Sequence, residues 1–340
     1  MTADPATALR ELGSALRRLA ADGAGVGVVR VLERHGFGTV ESGQLLAGTA
    51  TGAVAGVLYR GALDAAAVPL VAVAAAGPRT AAAHVTEDAA VDAGLACAGG
   101  ATLLGHPLPR PVADALGAAL ERAEPAALVT TVDGAAALVL TGPDLAETHG
   151  GLGATELDAT AADAVRRMLQ RGATATERVG VEGRELLADL WVPVPTVLVV
   201  GSVAIGDALA AQAELLGWAA RKESGPDATA AAVVAFTEAD VLVLLDHSPA
   251  FDAALAVGLR RGRGFIGALG SRRTQAARRE RLLAAGLTAN ELARLHGPVG
   301  LDLGARTPAE TAVSIVAEVV ATRAGRAGRA LAASDSRIGG

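Results

Sequence analysis

The chain has one cysteine, Cys97, one lysine, Lys222, and only 2% aromatic residues among its 340. A single cysteine excludes an intramolecular disulfide and a CxxC-type metal site, and it suits a reducing compartment. The scarcity of lysine against many arginines, beside abundant alanine and glycine, reads as coding bias from a GC-rich genome. There is no basic excess: the formal net charge is −6, which argues against a general nucleic-acid binder. Long apolar runs are missing too. The most apolar stretch, 65–76, is too short for a bilayer and contains Pro69. The first residues, MTADPATALRELGSALRRLAADG, spread acids and arginines along an amphipathic period, with no basic-then-apolar signal order. The expectation is a cytoplasmic protein with neither a nucleic-acid nor a membrane partner. Hydrophobic residues nonetheless make up 51%, enough for more than one core at this length.

The pattern along the chain changes character near residue 190. Before it, a helix is expected over 5–21, with Leu9, Leu12, Leu16 and Leu19 on one face. GVGVVRVLERHG reads as a strand, and LLAGTATGAVAGVLYRG (Leu45 to Gly61) as a hairpin turning at Thr51-Gly52. AAVPLVAVAAA is taken as a further strand. A helix over 111–122 leads to AALVTTVDG and AAALVLTG, two strands joined at Asp133-Gly134. Helical spacing returns over 156–170, and 171–190 is a linker or a last strand. This mixture predicts an α+β module over 1–190.

After two prolines, Pro193 and Pro195, apolar strands alternate with helices. VPTVLVV, AAAVVAF, ADVLVLLDHSP and GFIGALGS are the expected strands. Fully apolar strands between helices indicate a parallel sheet covered on both faces, a Rossmann-like domain over 191–330. Residues 331–340 are expected to be a flexible tail.

Three strand ends carry the chemistry. VVGSVAIGDALA places Gly201 and Gly206 where a dinucleotide turn needs its first and third glycines, with Ser202 between them. Val203 occupies the middle position and would crowd a pyrophosphate. The acid that binds ribose normally lies about 20 residues on. Here Arg221-Lys222-Glu223 stands there: Glu223 fits a ribose, and Arg221 and Lys222 fit a 2′-phosphate. LLDHSPAFD ends a strand with Asp246 and His247, which suit acid–base work, while Ser248 before Pro249 equally suits a helix cap. GFIGALGSRRTQAARRERL (Gly264 to Leu282) offers Gly267, Gly270 and Ser271 at the mouth of a basic helix. Their amides would face a phosphate or carboxylate, with Arg272, Arg273 and Thr274 alongside. The bland reading of the same arginines is a solvated helix face.

GFIGALGSRRT, followed by GLTANELARLHGPVGLDLGARTP, resembles the C-terminal signature of the XdhC/CoxI family, accessory proteins of molybdenum hydroxylases such as xanthine dehydrogenase. The segment Gly300-Leu301-Asp302-Leu303-Gly304-Ala305-Arg306-Thr307-Pro308 is the most specific part of the match. The resemblance implies a protein that binds molybdenum cofactor (molybdopterin), promotes exchange of an oxo for a sulfido ligand, and delivers the cofactor to an apoenzyme. Asp302 and Arg306 would then join the phosphate-binding set. The family's Gly-Gly-Cys-x-Glu stretch is Arg60-Gly61-Ala62-Leu63-Asp64 here, so alanine replaces its cysteine. A later Gly-Leu-x-Cys stretch retains Cys97, and the family's Gly-Ala-Gly-His turn is Gly201-Ser202-Val203-Ala204. A thiolate is a natural soft ligand for molybdenum or carrier of sulfur, and alanine is neither. The alternative is an NAD(P)-dependent oxidoreductase acting on a small-molecule substrate, a carbonyl or imine, with Asp246, His247 or His296 as proton donors. Family habit adds the expectation of a homodimer.

Overall fold

A computed structural model describes residues 5–23, 25–36, 42–95, 97–181, 183–201 and 203–333. The chain divides into two compact units near Pro193/Val194, with Gln170–Ala173 packing in the second. Most of the expected tail, from residue 334 onward, lies outside the described residues.

The first unit runs α1 (Pro5–Ala21), β1 (Val26–His35), β2 (Leu46–Gly48), β3 (Val54–Gly56), α2 (Asp64–Ala74), β4 (Arg79–Val85), α3 (Glu87–Asp92) and β5 (Gly99–Leu108). It continues with α4 (Arg110–Glu121), β6 (Ala126–Thr131), β7 (Ala137–Thr141), β8 (Glu147–Gly151), α5 (Thr155–Leu169), β9 (Ala175–Val181) and β10 (Arg184–Trp191). The sheet orders are β3-β2-β1-β5-β4 and β8-β7-β6-β10-β9. These are one topology used twice: helix, three-strand meander, helix, two strands. The duplication also shows in side chains. Leu12-Gly13-Ser14-Ala15-Leu16 in α1 matches Leu116-Gly117-Ala118-Ala119-Leu120 in α4. A Cβ on Gly13 would stand 2.6 Å from the Gly117 carbonyl oxygen, and one on Gly117 2.7 Å from that of Gly13. The two helices therefore cross where neither backbone carries a side chain. Leu12, Leu16, Val28, Leu116, Leu128 and Val139 form one buried cluster fed by both repeats.

Two segments depart from the strand expectation. Residues 66–74 of the expected strand AAVPLVAVAAA fall in α2, where buried Ala67, Leu70, Val71 and Ala74 follow the i, i+3, i+4, i+7 rule of a helix. The run's continuous apolarity hid that period, and Pro69 was outweighed by the packing it sits in. AAAVVAF belongs mainly to α7 (Pro226–Val234), which starts with proline in its first turn and buries Thr229 and Val233. Residues 171–190 are largely a hairpin, β9 paired antiparallel with β10.

The second unit runs β11 (Thr196–Val200), α6 (Val203–Leu215), β12 (Ala219–Glu223), α7, β13 (Val241–Leu244), α8 (Asp252–Arg261) and β14 (Phe265–Ala268). It ends with α9 (Arg272–Ala284), α10 (Ala289–Leu292), β15 (Leu295–His296) and α11 (Pro308–Arg323). The five strands are parallel, in the order β12-β11-β13-β14-β15. Leu198, Val200, Leu242 and Leu244 pack on one face, and Val197, Val199, Val241 and Val243 on the other. Both faces are thus buried, as the unbroken apolar strands require.

A polar knot lies inside the first unit. Arg30 on β1 is buried and donates to Asp189 Oδ2 on β10 at 2.5 Å, and it also contacts Thr130. His106 on β5 is fully buried, with Nδ1 3.0 Å from the Pro107 carbonyl. Burial, helped by the Arg30 charge, pushes its pKa down from 6.5 to about 3. Above pH 6.5 the ring is neutral in both folded and unfolded chains. Between 6.5 and 3 only the unfolded chain takes up the proton, so stability falls as pH falls, by at most about 1.4 kcal/mol per pH unit from this residue. Urea unfolding at pH 7, 6, 5 and 4 should show a shallower acid loss for His106→Gln than for the natural chain. Equal slopes would show that His106 is not the source.

Candidate functional site

The order of the parallel sheet fixes where its crevice lies. Connections from β11 and β13 leave toward opposite sides, and ligands of open α/β sheets bind at such a switch, outside the carboxyl ends of the strands. Gly201 follows β11 at this point with φ of 98°, and a Cβ there would stand 2.8 Å from the Asp246 amide nitrogen. Only glycine fits both the conformation and the approach. Gly206 has the packing role: a Cβ would meet Val199 at 3.1 Å, between α6 and β11. Ser202 lies outside the described residues, as does the side chain of Val203.

Asp246 and His247 follow β13 at the same edge. The Asp246 carboxylate accepts from Ser248 N at 2.7 Å, and Ser248 Oγ caps the next turn by accepting from Ala250 N at 3.2 Å. His247 is exposed. At the end of β12, Glu223 accepts from Ser224 N at 3.0 Å and from Arg221 at 3.2 Å; the Ser224 amide first, then Arg221, holds its carboxyl below the usual range. Lys222 pairs with Asp207 on α6. Both basic side chains suggested for a 2′-phosphate therefore already have acidic partners.

The turn after β14 differs from its sequence reading in one respect. Gly267 lies inside the buried strand, paired in register with Val243 and His296, and a Cβ there would stand 2.6 Å from Val299. Its smallness serves packing, because ladder positions do not turn their amides to a ligand. The turn proper is Leu269-Gly270-Ser271. Ser271 Oγ caps α9 by accepting from Thr274 N at 3.2 Å and lies 3.0 Å from Thr274 Oγ1, while Ser271 O accepts from Gln275 N. The amides of Arg272 and Arg273 remain for another acceptor, at the positive end of a 13-residue helix. Both arginine side chains are exposed.

What the sequence reading passed over is the inner face of α9. Gln275, Arg278 and Leu282 are buried at i, i+3 and i+7, a period that was legible but masked by the surrounding arginines. Arg278 is fully buried. It donates to the Asp246 carbonyl at 3.1 Å, the Leu269 carbonyl at 3.4 Å and Gln275 Oε1 at 2.9 Å, while Gln275 Nε2 donates to Ala268 O at 2.8 Å. One guanidinium thus ties together the loops after β13 and β14. Burial holds its pKa below the ordinary arginine value.

His296 and the Gly300–Pro308 motif lie further along the sheet. His296 stacks on Phe265 with ring centroids 4.1 Å apart, and its Nδ1 lies 2.8 Å from Glu318 Oε1. Glu318 also accepts from Gly300 N at 2.5 Å. Burial opposes ionisation of Glu318, but the His296 and Gly300 hydrogen bonds outweigh it and keep the carboxyl below its usual range. Asp302 and Arg306 are exposed. The Arg306 amide donates to Glu310, which with Thr307 forms the capping box that opens α11.

In the first unit the structure brings together the two stretches that the family resemblance singles out. Tyr59 and Arg60 take positive φ values of 50° and 54°, uncommon for side chains this large. Arg60 Nη1 donates to the Gly94 carbonyl at 3.0 Å, so the Arg60–Asp64 loop adjoins the turn that leads to Cys97. Cys97 is exposed, with Sγ 3.6 Å from the Gly36 carbonyl. Among the described residues no group of His, Cys, Asp or Glu has the arrangement of a metal site, and no helix is long and apolar enough to cross a membrane.

Comparison with known proteins agrees with this geometry. Residues 197–319 match the family model of the XdhC Rossmann domain, so the second unit carries that domain. A segment of 56 residues is 41% identical to the uncharacterized protein YqeB of Escherichia coli K12, covering 16% of this chain and 10% of that protein. A solved structure of a xanthine dehydrogenase from Bacillus halodurans aligns over 96% of this chain and 98% of its own, with TM-score 0.53 and 18% identity, which is a likeness of fold.

Arg278→Met should leave the Asp246 and Leu269 carbonyls without a donor and lower stability in urea unfolding by roughly 2–4 kcal/mol. Arg279→Met, which alters a partly exposed neighbour bonded to Leu292 O, should cost under about half that. Similar losses for the two would remove Arg278 from its structural role.

Proposed function

We propose that this chain is an XdhC-type accessory protein that holds molybdenum cofactor by its phosphate and assists its sulfuration and insertion into a molybdenum hydroxylase apoenzyme. The observation that supports this most is the carboxyl edge of the parallel sheet. Gly201 lets the loop after β13 close onto the switch point, and α9 presents the Arg272 and Arg273 amides and side chains at the same edge. A phosphate suits that donor set, since every offered group is an amide N–H or a cation. Bound there, the cofactor would supply a molybdenum centre, and the chain's amides and arginines would hold its phosphate. The chain's own part is to bind, orient and protect. Cys97, exposed and the only thiol in the chain, is the residue able to carry sulfur or meet the metal, given Ala62 at the family's other cysteine position.

The competing reading is an NAD(P)-dependent oxidoreductase. The location of Glu223 at the end of the second strand in chain order favours it, because that is where a ribose hydroxyl is bound in dinucleotide folds. His247, exposed at the sheet edge, would be its proton donor.

Co-expression with the cofactor pathway, followed by elemental analysis of the purified chain, should find molybdenum bound, with retention reduced at least about tenfold in Arg272→Glu/Arg273→Glu. Cys97→Ala should retain cofactor binding through phosphate and lose sulfur transfer to an apoenzyme. Absence of molybdenum, together with thermal stabilisation by NADP that Glu223→Ala alters, would replace this reading with the oxidoreductase.

A further inference from the structure

The first unit contains a hollow of about 550 Å³ that none of the chemistry above uses. One wall is α1, from the exposed Ala8 through the buried Leu12 and Ala15 to Arg18; the other is β3 with the chain just after it, Ala55 to Val57, and Gly43 to Leu45 complete the lining. Its volume is in the range of ligand pockets, and its walls are mostly small and apolar.

The other wall is a sheet edge. β3 ends its sheet and pairs with β2 alone. Thr49 N donates to Ala53 O at 3.1 Å, and the register opposes Ala47 to Ala55. In an antiparallel ladder the alternate residues, Val54 and Gly56, then turn their N–H and C=O groups away from β2. Such groups pair readily with a further strand.

The internal repeat gives a second view of the same place. Gly56 and Gly150 correspond: both have positive φ, 88° and 82°, and each backs onto a carbonyl at the start of the preceding strand, that of Leu45 just before β2 and that of Ala137 in β7. In the second repeat Val112 of α4 is buried, and a Cβ added to Gly150 would stand 3.1 Å from its methyl group. Counting from the shared Leu-Gly-x-Ala-Leu segment, the residue matching Val112 in α1 is Ala8, which is exposed and lines the hollow. Beside Gly56 itself Leu12 takes the place that Val112 takes beside Gly150, 3.2 Å from the added Cβ, so the repeats differ at the helix position alone: valine is buried in one and alanine is exposed in the other.

We infer that α1 and β3 form a docking groove for an extended, apolar segment of a partner protein, added as a strand on the β3 edge, with an acidic group at its Arg18 end. The exposed main chain of Val54 and Gly56 favours an extended peptide, and the alanines admit its alternate side chains. The charges set its polarity. Arg18 bonds only Ser14, at 2.8 Å, and has no acidic partner among the described residues; Glu11, also on the groove, has no basic one. The two stand seven residues apart on one helix, so the complementary segment has its acid and any base about 10 Å apart.

A phage-displayed library of random ten-residue peptides, selected on the whole chain, tests the groove. Enriched peptides should alternate apolar residues, carry Asp or Glu, and slow hydrogen exchange at the Val54 and Gly56 amides. Ala8→Leu, which enlarges the counterpart of Val112 at an exposed position, should weaken binding at least tenfold with the melting temperature unchanged or raised, and Arg18→Glu should weaken it similarly. The inference is overturned if no peptide is enriched, if enriched peptides bind Ala8→Leu as well as the natural chain, or if sedimentation shows that Ala8→Leu turns a dimer into monomers. That last outcome would make a second copy of the chain the occupant.

Discussion

Three parallel strands end at the crevice of the second unit, and their loops must have their carbonyls satisfied without a neighbouring strand to do it. The Arg278 guanidinium does so for Asp246 and Leu269, from a fully buried position. Burying a cation costs free energy unless its hydrogen bonds are met, so the arrangement is stable only while both loops stay where they are. That coupling locates the Gly270-Ser271 turn relative to Asp246, and hence the start of α9 relative to Gly201. The carboxyl edge of the sheet is therefore held from beneath, by a fully buried residue.

The first unit meets a similar demand with different means. Its two five-stranded sheets repeat one topology, and α1 and α4 cross at facing glycines. Duplication makes a large apolar core from a chain poor in aromatics, because small residues allow close backbone approach where bulky ones would have to interdigitate. It also leaves the repeats free to differ. Arg30 of the first repeat reaches Thr130 and Asp189 of the second, whereas position 112 is valine in one helix and its counterpart, Ala8, is alanine in the other. The unequal positions are where an ion pair and an open groove have appeared on an otherwise symmetrical plan.

Family likeness and geometry bear on different questions. The XdhC Rossmann match covers 197–319, and the strand order and the α9 turn lie within it. The loops carrying Arg60 and Cys97 lie outside that match, and their proximity rests on a hydrogen bond from Arg60 to Gly94. The positive φ angles of Tyr59 and Arg60 store strain there, at a place where the family resemblance expects glycine at one of the positions.

Local chemistry determined a good part of this protein in advance. Alternating apolar strands and helices after Pro195, the Thr51-Gly52 and Asp133-Gly134 hairpins, the caps at Ser248 and Ser271, and the free start of α9 all depend on residues within a turn or two of each other. Tertiary structure decided what no such window contains. The duplicated sheet order joins β1 to β5 and β6 to β10 across scores of residues, and the pairing exists only once the chain has closed on itself. Segments 66–74 and 230–234 became helices because of the faces they bury, and Gly267 became a packing position because Val299 lies over it. Arg278 sits among arginines that look alike in sequence. Its fate differs because loss of solvent is a property of what folds above a side chain, and not of the residues beside it.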